Sequence, residues 1–140
     1  WWLELTAGVR LDAHNFFGTF VSPRAGVLMI PGDKDVVKLL YGRAFRSPNA
    51  RELLVQVEPM DGGNSFSNGN EELLPEQIDT LELEWSRSLS NGLDSRAVLF
   101  ASNIQNEIGK SSIEDEALGD LYYDNLDGSS IKGAEMEVSW

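Results

Sequence analysis

The chain has 140 residues, with 11 Lys and Arg against 23 Asp and Glu, a net charge of −12 at pH 7 and no cysteine. This length fits one domain, and the acidic balance argues against nucleic acid and against an anionic membrane surface as partners. The lack of cysteine excludes a disulfide framework, a cysteine-based zinc site and a thiol nucleophile. No apolar run approaches the length of about 18 residues that a membrane-spanning helix needs, although β-strands cross a membrane without such a run. Because the sequence starts at Trp1 and its pattern runs on to Trp140, we expect a fragment of a longer protein.

The first part of the chain alternates apolar and polar residues with a period of two, which is typical of strands that have one apolar face. Residues 3–12, 21–30 and 36–45 form the first three predicted strands. A loop at residues 13–20 and a compact turn at residues 31–35 connect them. Pro23 and Gly26 blur the pattern of the second strand, for which we expect an apolar face of Ala25, Val27 and Met29. Which of its faces meets lipid and which meets the lumen stays open.

The clearest alternation is LELEWSRSL at residues 81–89, which has Leu or Trp at four of its five odd positions and Glu or Ser at every even position. A helix would leave Leu83 on its polar side and Glu82 on its apolar side. We therefore predict a strand over residues 77–89. Strands of soluble sheets are commonly about five or six residues long, and a tilted strand needs about nine or more to cross a bilayer.

The remaining segments complete a predicted series of six strands joined alternately by short and long connections, the organisation of an up-and-down barrel. Residues 51–57 fit a short helix or a short strand, and the facing of the fifth strand stays open. The other predicted segments are a long polar loop at 46–76, a turn at 90–93, the fifth strand at 94–108, an acidic loop at 109–120 and the sixth strand at 121–140, bent near 128–130.

Several segments resemble the barrel of TonB-dependent outer-membrane receptors, in the order that the family shows. The most specific is YGRAFRSP at residues 41–48, which resembles the YGRAFRAP-type motif of that family. The departures are that Ser47 replaces a usual Ala and that Leu74 replaces a usual Lys. The supporting segments are TAGVRLD at 6–12, VSPR at 21–24, NEELLPE at 70–76 and IKGAEME at 131–137.

The resemblance implies an all-β fold in which residues 1–140 form a partial segment, about six antiparallel up-and-down strands, of a transmembrane β-barrel of roughly 22 strands, with the plug domain absent. It implies a place in the bacterial outer membrane, with the bilayer as a partner. The long loops 13–20, 46–76 and 109–120 would be extracellular, and Trp1, Trp2 and Trp140 would lie at the periplasmic rim.

The resemblance also implies active uptake of a scarce nutrient of the siderophore, vitamin or glycan class. The energy would come from the TonB–ExbB–ExbD complex, which is reached through a missing N-terminal part that carries the TonB box. No residue motif names the nutrient.

Three side chains are candidates for contact with a ligand. Arg43 and Arg46 lie near a barrel mouth, where a guanidinium can bind an anion, although packing of an interface or a loop is the favoured explanation. His14, the only histidine, lies in a loop, where solvation is commoner than catalysis. We predict no catalytic residue, no metal site, no cofactor and no enzymatic activity. The pairs Glu82 with Glu84 and Glu135 with Glu137 are interpreted as charges in a water-filled lumen that need no partner.

The alternative hypothesis is a soluble β-sandwich that binds a ligand such as a carbohydrate, since alternating strands also suit that fold. An outer-membrane enzyme is a third hypothesis, which lacks a credible nucleophile and base. The outward residues distinguish the first two hypotheses, because a sandwich buries its apolar faces and a barrel exposes them to lipid. A further expectation is that six strands of a wide barrel cannot close by themselves and leave two open edges.

Overall fold

The computed structural model describes residues 2–54, 67–89, 92–111 and 121–140. Strands dominate these ranges, and no helix within them is long and apolar enough to cross a membrane. The elements are β1 (Trp2–His14), β2 (Gly18–Ile30), β3 (Asp35–Arg46), α1 (Ala50–Leu54), β4 (Ser67–Asn68), β5 (Glu76–Ser88), β6 (Asp94–Gln105), β7 (Glu107–Ser111), β8 (Leu121–Leu126) and β9 (Ser130–Ser139).

The main sheet has six strands in the order β1-β2-β3-β5-β6-β9, and every neighbouring pair is antiparallel. It is an open sheet in which β1 and β9 are the edge strands, as expected for a partial barrel. The short connections after β2 and β5 are at one end of the sheet, and residues 90 and 91 of the predicted turn 90–93 lie outside the described ranges. The longer connections after β3 and β6 are at the other end, where β4, β7 and β8 form a second, three-stranded sheet.

The register of the main sheet aligns the alternating apolar residues in the middle of all six strands on one face, which we call the apolar face. Polar and charged side chains collect on the opposite face, which we call the polar face. This register settles the two strands whose facing the sequence left open: Val27 of β2 and Leu99 of β6 belong to the apolar face. A central row of the apolar face consists of Leu5, Val27, Leu39, Leu83, Leu99 and Ala134.

The apolar band runs obliquely across the sheet. On β1 the band extends as far as Leu11. On β9 it ends at Ala134, because the next residue of β9 on this face is Lys132. Ala134 lies in the same row as Leu5, which is six residues before Leu11. The edge of the band therefore shifts by about one residue per strand. With strands about 4.8 Å apart and a rise of about 3.4 Å per residue, this stagger corresponds to a strand tilt of roughly 35–40°. Strands of transmembrane barrels have tilts in this range.

Exposure of the apolar face excludes a sandwich core. Leu5 is 71% exposed and Leu11 is 68% exposed, and the buried hydrophobic residues among those described are Leu73 and Val98. A β-sandwich of this length would bury the inner faces of two packed sheets. Instead, one layer presents its leucines outward, so the soluble-sandwich hypothesis is not favoured.

Three predicted boundaries need correction. The predicted loop 13–20 is mostly strand, because the β1–β2 pairing continues up to His14 opposite Gly18, whose φ of 81° permits a tight turn. The predicted strand 94–108 ends at Gln105, and Asn106, with a φ of 54°, redirects the chain into β7. The predicted strand 121–140 is divided near its expected bend into β8 and β9, which belong to different sheets.

The segment between β3 and β5, predicted as one long polar loop, contains α1 and β4 within its described parts. Of the two structures left open for residues 51–57, the helix is found as far as Leu54, and residues 55–57 lie outside the described ranges. Asn49 begins this helix, because its side-chain Oδ1 accepts the N–H groups of Arg51 at 2.9 Å and Glu52 at 3.0 Å. Glu52 completes a capping box by accepting the Asn49 N–H at 2.7 Å.

Candidate functional site

Arg43 lies on the apolar face of the sheet, in the row just beyond the apolar band. Its guanidinium makes a bidentate pair with Asp79 of β5, with Nε–Oδ1 and Nη2–Oδ2 distances of 2.9 Å. Tyr41 donates its hydroxyl to the same carboxylate at 2.6 Å. The charge of Arg43 is therefore matched by a neighbouring carboxylate, and its predicted contact with a ligand stays a prediction.

Arg46 ends β3 and connects three elements. Its Nε and Nη2 bind the Glu76 carboxylate at 2.6 and 2.9 Å, and its Nη1 binds both oxygens of Glu52 at 3.0 and 3.1 Å. The Glu52 side chain is mostly buried, so this guanidinium anchors the start of α1 to the ends of β3 and β5. A role of Arg46 in ligand contact likewise stays a prediction.

Glu76 precedes Leu81, the first leucine of β5 on the apolar face, by five residues, and therefore lies beyond the part of β5 that carries the apolar band. The hydrogen bonds from Arg46 and the backbone N–H of Ile108 hold the pKa of Glu76 below its usual value. The same pair raises the pKa of Arg46. Both shifts favour the charged forms, because each ion stabilises the other.

His14 is the last residue of β1 and lies on the polar face. Its Nδ1 accepts the N–H of Phe16 at 3.2 Å, and its ring centroid lies 4.9 Å from that of Phe17. Phe16 itself is 88% exposed at the tip of the turn. His14, Arg43 and Arg46 are thus all at the loop end of the sheet, but they have different partners and the structure does not gather them into one cluster.

The polar face carries an ionic junction that local sequence patterning does not reveal. Glu84, only 6% exposed, accepts Lys38 Nζ at 2.8 Å and the Arg96 guanidinium at 2.9 and 3.1 Å. The interpretation that Glu84 needs no partner is therefore wrong. Its cross-strand neighbours become visible only once the register is known, because Lys38 and Arg96 are 46 and 12 residues away in sequence.

Several large side chains of the polar face lie flat over glycines of the neighbouring strand. A Cβ on Gly26 would be 3.2 Å from Cδ2 of Leu40, and one on Gly8 would be 2.9 Å from Nε of Arg24. The ring of Phe100 covers Gly133 in the same way. These glycines let bulky residues of the polar face fold back onto the wall instead of projecting away from it.

Within the described ranges, no group of three or more acidic or histidine side chains is placed to hold a metal ion. The family model described as TonB dependent receptor-like, beta-barrel, matches residues 2–140.

The chain belongs to the TonB-dependent receptor β-barrel family.

Similar proteins agree with this assignment. The iron-regulated outer membrane virulence protein of Vibrio cholerae serotype O1 is 26% identical over 145 residues, which cover 97% of this chain and 22% of that protein. The siderophore receptor PirA from Pseudomonas aeruginosa superposes with a TM-score of 0.83 at 24% identity, over 96% of this chain and 27% of that one. The hemophore receptor HasR of Serratia marcescens superposes with a TM-score of 0.73 at 16% identity, over 97% of this chain and 27% of that one. The chain spans about a quarter of the length of these relatives.

Membership of a family of transport receptors gives the two faces their meaning. The sheet is part of a β-barrel wall in the bacterial outer membrane. Its apolar face contacts hydrocarbon, and its polar face lines the interior, because lipid-facing and lumen-facing residues alternate along each strand of such barrels. The short turns then lie on the periplasmic side together with Trp2 and Trp140, and the second sheet lies on the extracellular side. Trp1 lies outside the described residues.

Proposed function

We propose that the intact protein is a receptor that takes up a scarce nutrient through the outer membrane, to which residues 1–140 contribute part of the barrel wall. The observation that carries the proposal is the six-stranded sheet with one apolar and one polar face, matched along residues 2–140 by a family of TonB-dependent receptors. Uptake would be energised by TonB–ExbB–ExbD, with the plug and the TonB box supplied by parts of the protein outside this segment.

The proposed nutrient is an iron chelate or haem. The similar proteins support this choice, because two are siderophore receptors, others are ferric enterobactin receptors, and another is a hemophore receptor seen with haem. Such ligands are large, and most carry charge or aromatic rings. Contact with them would fall to the extracellular end of the polar face and to the loops above it.

Among the three candidate side chains, His14 is the best placed for such contact. It lies on the polar face beside the exposed Phe16, and within the described residues no hydrogen bond engages its Nε2. Arg46 also lies on the polar face, but its guanidinium is held by two carboxylates. Arg43 lies on the lipid-facing side with Asp79.

Growth of the host bacterium under iron limitation tests the proposed function. A deletion of the gene should abolish growth on one chelate in a panel of catecholates, hydroxamates and haem, and should leave growth on ferrous iron unchanged. The gene should restore growth when supplied again, but not in a strain that lacks TonB. Growth of the deletion strain on every chelate, in a host without a second receptor for them, would contradict the proposed function.

A further inference from the structure

Two long connections lie side by side at the extracellular end of the sheet. The described parts of the first connection are residues 47–54 and 67–75, and those of the second are residues 106–111 and 121–129. We propose that these loop bases form one cooperative unit, the rim clamp, held by Glu76, Asn125 and the groups to which they hydrogen-bond. The inference concerns a conformational device of the fold and does not depend on which nutrient is carried.

Asn125 is the first junction of the rim clamp. Its Oδ1 accepts the N–H of Leu74 at 2.7 Å, while its Nδ2 donates to the carbonyl oxygens of Leu74 and Asn106, both at 2.9 Å. One side chain therefore satisfies both backbone groups of Leu74, as a neighbouring strand would, and uses both of its own donors. This arrangement joins the end of the first connection to two points of the second.

Glu76 is the second junction. Its two oxygens bind Arg46, and Oε1 also accepts the backbone N–H of Ile108 at 2.7 Å. Because Arg46 in turn holds Glu52 of α1, the junction links the start of the first connection to β7 of the second. Charge-assisted hydrogen bonds of this kind are among the stronger ones in proteins.

Packing between the loop bases supports the two junctions. The Asn70 side chain donates to the carbonyl oxygen of Tyr123 at 3.1 Å, and β4 pairs with β8 in parallel. Leu73 is 2% exposed and is one of two buried hydrophobic residues in the described part of the chain. A buried leucine that is flanked by hydrogen bonds between two segments is typical of a small unit that opens cooperatively.

Hydrogen exchange of two backbone amides distinguishes one unit from two independent loop bases. The N–H of Leu74 is bound by Asn125, and the N–H of Ile108 is bound by Glu76, so each amide has its hydrogen bond at one junction only. Ile108 is also the cross-strand partner of Asn125 in the β7–β8 pair, so a third amide is needed as a reporter. In one cooperative unit both amides open together, and weakening either junction raises the exchange rate of both.

The experiment uses the full-length receptor in liposomes, without ligand, and residue-resolved hydrogen–deuterium exchange mass spectrometry. Asn125→Asp keeps the acceptor for the Leu74 N–H but removes both donors. We expect it to raise the exchange rate of Ile108 at least tenfold. The exchange rate of the Asn70 amide, which donates to Glu52 O at 2.8 Å and is bound by neither Asn125 nor Glu76, should rise with it. Asn15→Asp, the same substitution in the exposed β1–β2 turn, is the matched control and should change neither rate. Continued protection of the Leu83 amide in β5 shows that the barrel is folded.

Glu76→Gln provides the reciprocal test and a second variant if Asn125→Asp fails to fold. Its amide oxygen still accepts the Ile108 N–H, while its pair with Arg46 is lost. We expect the exchange rates of Leu74 and of the Asn70 amide to rise, although Asn125 binds the Leu74 N–H and the Glu52 carbonyl oxygen binds that of Asn70. The rim clamp is refuted if each substitution affects only its own amide, or if Asn15→Asp has the same effect as Asn125→Asp.

Discussion

At the scale of single residues, Glu84 holds two cations on the polar face. Lys38 and Arg96 come from the strands on either side of β5, and their side chains are 40% and 48% exposed, compared with 8% for that of Glu84. Each ion pair alone contributes little to the free energy of unfolding, because its cation is exposed to solvent. Loss of the shared carboxylate is more costly, since it leaves two neighbouring positive charges without a partner.

We expect Glu84→Ala to destabilise the intact barrel by about 1–3 kcal/mol, a range below the cost of breaking a fully buried pair. Urea unfolding in liposomes measures this loss. Glu135→Ala is the matched control, because Glu135 is on the same face, is exposed and makes no ion pair within the described residues. Its substitution should change the free energy of unfolding by less than about 0.5 kcal/mol, and equal losses for both variants would contradict this view of Glu84.

The lowered pKa of Glu76 predicts a loss of stability in acid. A carboxyl group with a lower pKa in the folded state stabilises that state above its unfolded pKa of about 4.3. This contribution is lost as the pH falls through the folded value. Glu76→Gln should therefore lower the melting temperature at pH 7, and the difference from the unmodified receptor should shrink towards pH 3. Thermal melts of both proteins over this range test the sign, and a difference that is independent of pH would contradict it.

At the scale of elements, alternation in the sequence predicted the strands that face two different environments. The cores of β1, β3 and β5 follow from period-two patterning, because a slip of one residue would turn a whole strand over. The facing of β2 needed the register, because Pro23 and Gly26 blur its pattern. The pairing of His14 with Gly18 was missed because turn residues masked the strand ends. The end of β6 before Asn106 was missed because the apolar pattern continues to Ile108, whereas the left-handed conformation of Asn106 interrupts the strand.

The candidate site was less predictable than the strands. The motif around residues 41–48 drew attention to Arg43 and Arg46, but it did not show that they lie on opposite faces of β3 with different carboxylates. Asn125 carries no signal in the sequence, since its three backbone partners are 19 to 51 residues away. Hydrogen bonds between distant segments depend on tertiary packing, which local patterning does not encode.

Gly69 illustrates such packing between elements. A Cβ there would be 2.5 Å from the carbonyl carbon of Leu53 and 2.6 Å from its oxygen, and backbone atoms cannot move aside cheaply. We expect Gly69→Ala to separate the 69–75 segment from α1 and to raise the exchange rate of the Asn70 amide, which donates to Glu52 O at 2.8 Å, by about ten- to a hundredfold.

Gly32→Ala is the control for that substitution, because Gly32 lies in the short turn after β2 and a Cβ there meets nothing within 4 Å. Hydrogen–deuterium exchange of the full-length receptor compares the two variants. An unchanged rate for Asn70 in Gly69→Ala would show that α1 does not pack against this glycine.

At the scale of the whole molecule, the sheet has two open edges and one exposed apolar face. Leu5 and Thr6 are adjacent on β1 and point to opposite sides of the wall. Leu5→Arg should cost about 2–4 kcal/mol, because a cation then lies near the middle of the bilayer. Thr6→Arg should cost less than about 1 kcal/mol, because the same cation faces the interior. Unfolding of both variants in liposomes measures the difference, and equal costs would contradict the assignment of the faces.

The most direct test of the central claim is a scan of nitroxide labels along β5 of the full-length receptor in liposomes. Labels at Leu81, Leu83 and Trp85 should collide with oxygen dissolved in the lipid and not with a water-soluble nickel chelate. Labels at Thr80, Glu82 and Ser86 should show less contact with oxygen and more contact with the chelate. If the odd-numbered labels are shielded from both reagents, the leucines of β5 pack inside a protein core and the strand is not part of a membrane-facing wall.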